Sequence, residues 1–228
     1  MAQNTGADKI TRNIVIGMVT LVVAVGVIFS VLGNRTSNSV SLPSQTNTAN
    51  GSGIEFNSEL TGVPVVDIWE DFQCPVCARF TQTNGDYIEK LIEEKKAKVV
   101  FHTLSFLGPE SALAANAAAC STDENKFLGF HRAFYQNLPA ENSGAVTADY
   151  LVALGQGVGI TSDKFKSCVA NLDYNGWVNN VAASGGEANV NSTPTVFVNG
   201  KEIRRGTSGA DLGDYFDPAA FARAVEGK

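Results

Sequence analysis

Cys74-Pro75-Val76-Cys77 follows the apolar run Val63-Pro64-Val65-Val66-Asp67-Ile68-Trp69 and opens a stretch of helical pattern, so the fold turns on how these two thiols are read. Residues three apart on a first helical turn share one face, close enough to join as a disulfide with little backbone movement. Pro75 suits the first helical position, where its missing N–H is not needed. A helix N-terminus stabilises an anion through its partial positive charge and unpaired N–H groups, and the thiolate is the nucleophilic form of cysteine. Cys74 is therefore the candidate reactive thiol, and Cys77, one turn inside, its resolving partner. Two other readings stand beside the redox one at this stage. One is a static disulfide; the other is half of a zinc site, for which Cys120, Cys168, His102 and His131 remain on offer without forming a second close pair.

Upstream, Ile14 to Gly33 is a block of twenty residues without a charge, rich in Val and Ile and long enough to cross a bilayer as a helix. Ser30-Val31-Leu32-Gly33 offers no small-residue cleavage pattern, which favours an uncleaved anchor over a signal peptide. Lys9 and Arg12 precede the block and Arg35 follows it, a bias that places the N-terminus inside and the bulk of the chain outside the cytoplasm. The expected organisation is a cytoplasmic segment over 1–13, an anchor over 14–33, a flexible linker over 34–54 made largely of Ser, Thr, Asn and Gly, and a folded domain over 55–228. With 228 residues and 44% hydrophobic content, the chain supports one sizeable core. Beyond Arg35 it carries 14 Lys and Arg against 22 Asp and Glu, a net of −8, and shows no basic patch for nucleic acid. Outside the cytoplasm disulfides persist, and four cysteines make an even set.

Within the domain, Val63 to Trp69 reads as a central strand, apolar except at Asp67. A helix follows from Pro75, with Asn84-Gly85 expected to interrupt or bend it before Tyr87 to Ile92 resumes the pattern. Lys98 to Leu104 reads as a second strand, which completes a parallel crossover unit. A helical insert over about 108–172 comes next: an alanine-rich helix from Ser111 to Cys120, an amphipathic one from Asn125 to Asn137, and shorter ones over Thr147 to Leu154 and Ser162 to Ala170. Phe127, Phe130, Phe134 and Tyr135 recur at helical spacings as its core. Tyr174 to Ala188 is a further helix. Thr193-Pro194-Thr195-Val196-Phe197-Val198, Asn199-Gly200 and Lys201 to Arg205 form a hairpin, and Asp217 caps a last helix from Pro218 to Glu226.

This order of elements, with Glu70-Asp71-Phe72-Gln73 before the cysteines, Phe106-Leu107-Gly108, Lys126-Phe127-Leu128, Phe130-His131 and Thr193-Pro194 before the hairpin, resembles the DsbA-type thiol:disulfide oxidoreductases, in particular membrane-tethered bacterial members. The resemblance covers about 63–225. It implies an α/β thioredoxin fold with an inserted helical domain, preceded here by the transmembrane helix. It implies catalysis at Cys74 and Cys77, a cis Pro194 facing them, and Thr193 presenting backbone groups to an extended substrate peptide. It implies a structural disulfide between Cys120 and Cys168, unfolded exported proteins as substrates, and an integral membrane quinone-linked oxidase as partner. No cofactor-binding motif appears, no metal is expected, and the residues before Val63 are too few and too polar for a dimerisation domain, so the expectation is a monomer.

Two positions depart from the pattern. Family members carry a buried acid six residues before the first cysteine; here that position is Ile68, and Asp67 and Glu70 are the candidates for a proton relay. Side chains alternate along a strand, so Asp67 points away from Ile68 unless a bulge intervenes. Val76 stands where strongly oxidising members have His, which implies a higher Cys74 pKa and a weaker oxidant. A tethered reductase or isomerase is the alternative within the same chemistry, and a non-enzymatic thioredoxin-fold binding module the alternative outside it.

Overall fold

Five strands form one sheet: β1 (Ile54–Phe56), β2 (Val65–Asp71), β3 (Lys98–Leu104), β4 (Thr195–Val198) and β5 (Lys201–Glu202), in the order β1-β3-β2-β4-β5. The computed structural model describes residues 40–46, 52–206 and 211–228, so the expected segments 1–13 and 14–33 lie outside the described residues. Among the described residues no helix is long and apolar enough to cross a bilayer. β2 and β3 run parallel, Val65 opposite Lys98 through Asp71 opposite Leu104, whereas β2 and β4 run antiparallel. Parallel neighbours need a crossover, and α1 (Pro75–Glu93) supplies it. The frame is an α/β thioredoxin fold with an inserted helical region.

Alternation along the central strand decides what each face of the sheet receives. Val66, Ile68 and Glu70 point to one side, where Phe80 and Ile88 of α1 pack beside Ile68 and Phe101. Asp67 and Trp69 point to the other, where Trp69 and Leu104 lie against Gly185 of α6 (Asn175–Glu187); a Cβ at Gly185 would come within 2.8 Å of Leu104 Cδ2. The expected break at Asn84-Gly85 does not occur. Asn84 is buried and donates from Nδ2 to the backbone oxygen of Tyr215 at 2.8 Å, which fastens α1 to the chain just ahead of α7 (Pro218–Glu226). Residues that favour turns are here used for a long-range hydrogen bond, and the helix runs through them.

The insert comprises α2 (Pro109–Thr122), α3 (Phe127–Gln136), α4 (Ala148–Gly157) and α5 (Asp163–Asn171). Phe127, Phe130, Phe134 and Tyr135 are all buried, with the Phe130 and Phe165 rings joining α3 to α5 at 6.1 Å. Cys120 of α2 is bonded to Cys168 of α5, and Asn116 beside it donates to Cys168 O and accepts from Tyr174 N. In the hairpin, Asn199 and Gly200 both take positive φ, 50° and 76°, the geometry that a two-residue turn matched to the strand twist requires.

The stretch 34–54 differs from its expected role as a flexible linker wherever it is described. Pro43 is buried, Ser44 N donates to Thr122 Oγ1 at 3.2 Å, and Thr46 bridges to Ile54, whose strand lengthens the sheet beside β3. Composition misleads here because the ordering comes from docking on a finished domain rather than from the segment's own apolar content.

The Cys120–Cys168 bond closes a loop of 48 residues, which in the chain-entropy account is worth about 4 kcal/mol. Replacing both cysteines by alanine should lower the unfolding free energy by about that amount in denaturant titrations, leaving the Cys74/Cys77 chemistry in place.

Candidate active site

β2 ends and α1 begins within three residues, and Asp71 controls the connection. Its carboxylate is buried and accepts from Gln73 N at 2.9 Å, Ser111 Oγ at 2.6 Å and Leu107 N at 3.0 Å. Its backbone oxygen accepts from Cys74 N at 2.9 Å and from the Tyr135 hydroxyl at 3.1 Å. Burial pushes the Asp71 carboxyl above its ordinary range, against the lowering effect of the Ser111 and backbone donors. Gln73 extends the network: its Nε2 donates to Ser111 Oγ and its Oε1 accepts from Asn142 N at 2.7 Å, while Asn142 Nδ2 donates to Leu107 O.

Cys74 is thereby fixed as the N-cap of α1, with φ −77° and ψ 116°, and Pro75 occupies the first turn. Its sulfur accepts from Cys77 N at 3.4 Å and lies 3.5 Å from the backbone oxygen of Thr193. The Thr193–Pro194 peptide is cis. The structure thus brings Cys74, Cys77, Thr193 and Pro194 together. Both cysteines are free thiols; Cys77 is wholly buried, whereas Val76 between them is 47% exposed.

The two thiols titrate in opposite directions. A hydrogen bond from the Cys77 thiol, with further ones from Thr193 and the backbone of Cys77 and Val76, holds the Cys74 thiol down at about 6 against the opposing effect of burial. Burial pushes the Cys77 thiol well above its ordinary value, and the neighbouring Cys74 and Glu70 charges push the same way. At neutral pH the pair is a thiolate beside a thiol.

The two relay candidates separate. Glu70 is buried on the Cys77 side of the sheet, with Oε1 2.7 Å from His131 Nε2 of α3 and Oε2 without a hydrogen-bond partner among the described residues. Asp67, the acid one residue before the family position, falls where strand alternation puts it. It lies on the opposite face, 27% exposed, with Oδ1 3.2 Å from His102 Nε2, and no bulge returns it to the cysteines. His102 stacks on Trp69 at 3.8 Å and reaches Ser52 O at 2.7 Å. Cys120 and Cys168 are joined to each other within the insert. Among the described residues no group of three or more His, Cys, Asp or Glu side chains is placed to hold a metal ion. Sequence reasoning missed the pairing of His131 with Glu70 and the Asp71–Ser111–Gln73–Asn142 network. Their partners stand 38 to 69 residues apart, and Phe130-His131 was visible only as part of a family pattern.

The Cys74 shift has a consequence for stability. Between about pH 6 and 9 the unfolded reduced chain still binds the proton that folded Cys74 has lost, so stability rises with pH across that window and is lost as pH falls through 6. Unfolding of the reduced chain at a series of pH values should show a slope of at most about 1.4 kcal/mol per pH unit there, absent when Cys74 and Cys77 are oxidised. Alkylation of Cys74 should follow the same titration, with its midpoint near pH 6.

Comparison with known proteins agrees with this geometry. A thioredoxin family model matches residues 62–217. Over 140 residues the chain is 29% identical to disulfide bond formation protein D of Bacillus subtilis, a match covering 59% of this chain and 62% of that protein; the chain therefore spans about three fifths of the length of this curated relative. Among solved structures it is similar to MdbA, a thiol-disulfide oxidoreductase from Actinomyces oris, at 25% identity and a TM-score of 0.68, covering 82% of this chain and 92% of that one. It is also similar to reduced DsbA from Mycobacterium tuberculosis, at 26% identity and a TM-score of 0.62, covering 77% and 91%. A polarised Cys-Pro-Val-Cys pair at a helix N-terminus, opposite a cis proline and inside a match that spans most of the chain, places the protein in the thioredoxin family, among its DsbA-like thiol-disulfide oxidoreductases.

Proposed function

We propose that the protein is an oxidase of exported proteins, passing the Cys74–Cys77 disulfide to unfolded chains that carry free cysteines. The observation that carries this reading is the Cys74 thiolate, stabilised in the reduced enzyme by the Cys77 thiol and by backbone donors. A thiol held at about 6 rather than 9 favours the reduced form at pH 7 by no more than about 1.4 kcal/mol, or about 30 mV. That is a moderate driving force towards handing the disulfide on.

In the reaction a substrate thiolate attacks Cys74 Sγ, the enzyme disulfide breaks and Cys77 leaves; a second substrate thiolate then displaces Cys74. Backbone groups at Thr193, beside Cys74, suit an extended peptide of any sequence, which fits a broad substrate range. The apolar block over 14–33 supports an anchored enzyme with its catalytic domain outside the cytoplasm, and a membrane quinone-linked oxidase is the partner that would restore the disulfide.

The deciding experiment adds the oxidised full chain to a reduced, unfolded disulfide protein. Refolding should be faster than in buffer, and the gain should vanish in Cys74→Ala; no gain would sink the oxidase reading. A redox potential well below the poise of a secretory glutathione pool would instead assign electron flow to a reductase. Val76→His introduces a cation beside an exposed turn, so the Cys74 alkylation midpoint should fall below about 6 and the potential should rise.

A further inference from the structure

A loop that offers its backbone to a substrate has little left with which to hold itself. In the proposed exchange Thr193 keeps its N–H and C=O for an extended peptide, and Pro194 has no N–H at all. Thr193 O stands 3.5 Å from Cys74 Sγ, so even a small displacement would carry the pairing groups away from the reacting sulfur. Side chains have to fasten the turn.

The hairpin supplies one. Its Asn199-Gly200 turn pairs Val198 with Lys201 and Phe197 with Glu202, and Ile203 N donates to Val196 O at 3.0 Å, so the same count carries Arg205 alongside Pro194. There the guanidinium forks: Nη1 donates to Ser192 Oγ and Nη2 to Thr195 Oγ1. The Thr195 hydroxyl in turn donates to Ser192 O at 2.6 Å, which closes a set of contacts bracketing Thr193 and Pro194. Arg205 is itself held. Its Nε donates to Glu202 Oε1 at 2.9 Å, and its Cζ lies 5.8 Å from the centre of the Tyr215 ring, within reach of the attraction between a cation and an aromatic face. Tyr215 Oη accepts from Val196 N at 2.7 Å and Tyr215 O accepts from Asn84 Nδ2 at 2.8 Å, so this support reaches α1, the helix that carries Cys74.

A partly exposed Arg–Glu pair three residues apart ordinarily contributes little. The two hydroxyls change that reading, because they belong to the residues on either side of Thr193-Pro194 and a planar fork that grips both fixes their separation, which a point charge does not. We propose that Arg205 is a positioning residue for substrate binding: by gripping Ser192 and Thr195 it holds the Thr193 backbone at Cys74, where an incoming peptide strand pairs. The inference rests on the thiol–disulfide reading of Cys74 and on peptide pairing at Thr193. A small dithiol, which forms no strand, gains nothing from Arg205; a peptide does.

The test is single-turnover stopped-flow reduction of the oxidised full chain by excess unstructured peptide carrying two cysteines, over a range of concentrations, and separately by dithiothreitol. The Arg205 side chain is 34% exposed, so methionine there leaves the core as it is. In Arg205→Met the peptide concentration giving half the maximal rate should rise about 10-fold, while the limiting rate and the dithiothreitol rate stay native. Arg205→Lys keeps the charge and loses the fork, so it should follow Arg205→Met. Ser192→Ala should weaken peptide binding by itself yet add little to Arg205→Met, because both remove one contact. A native half-maximal concentration in Arg205→Met overturns the proposal. So does one in Arg205→Lys, which would leave only the attraction of a positive charge, and so does an equal loss with dithiothreitol, which would make Arg205 a support of the whole site. Failure of the underlying reading looks different: the native chain itself would then show no Cys74-dependent oxidation of the peptide.

Discussion

The buried carboxylate of Asp71 is the constraint on which the placement of the two thiols depends. A strand that turns directly into a helix leaves backbone N–H groups without partners at the turn, and burying them unpaired would cost more than the connection gains. Asp71 takes up the N–H groups of Gln73 and Leu107 together with the Ser111 hydroxyl, and its own carbonyl receives Cys74 N and Tyr135 Oη. Strand end, helix start and insert are therefore fastened at one point. The helical insert is part of the active-site scaffold, because two of its residues complete the turn that presents Cys74.

From that turn follows the contrast between two cysteines of identical chemistry. The N-cap position points the Cys74 sulfur back over the first turn, where the N–H of Cys77 and the Thr193 carbonyl bracket it. One turn later the side chain points into the core, where a charge is poorly solvated. Helix geometry alone converts a three-residue spacing into a difference of environment, which in the proposed exchange puts attack and departure on different sulfurs. Val76 faces outward between them and contributes no charge, which leaves the thiolate to the Cys77 thiol, Thr193 and backbone donors.

Much of this was legible in the order of residues. Cys74-Pro75-Val76-Cys77 after an apolar strand, and Thr193-Pro194 before Asn199-Gly200, carry local signals whose consequences do not depend on the rest of the chain. Asn84-Gly85 misled because a turn-forming pair is overridden when its amide finds a buried acceptor 131 residues away. The stretch Val40 to Thr46 misled because docking energy is a property of the surface it meets. Glu70 was legible as an acid at the right parity of the strand, but its partner was not: His131 belongs to another helix, and nothing in the local pattern of either residue announces the other.

The two faces of β2 show how alternation divides labour. Each carries an acid facing a histidine, Glu70 with His131 on one side and Asp67 with His102 on the other. On the α6 side the acid is partly solvated, the imidazole is stacked on Trp69, and its second nitrogen is committed to the carbonyl of Ser52, so the pair ties the segment before β1 to the sheet. On the α1 side the acid is fully buried, and the histidine that meets it at 2.7 Å is itself enclosed by the rings of Phe101 and Tyr135. The same residue types thus form a partly solvated clasp on one face and a buried pair on the other, and what separates them is a three-residue step along one strand, which is an odd number.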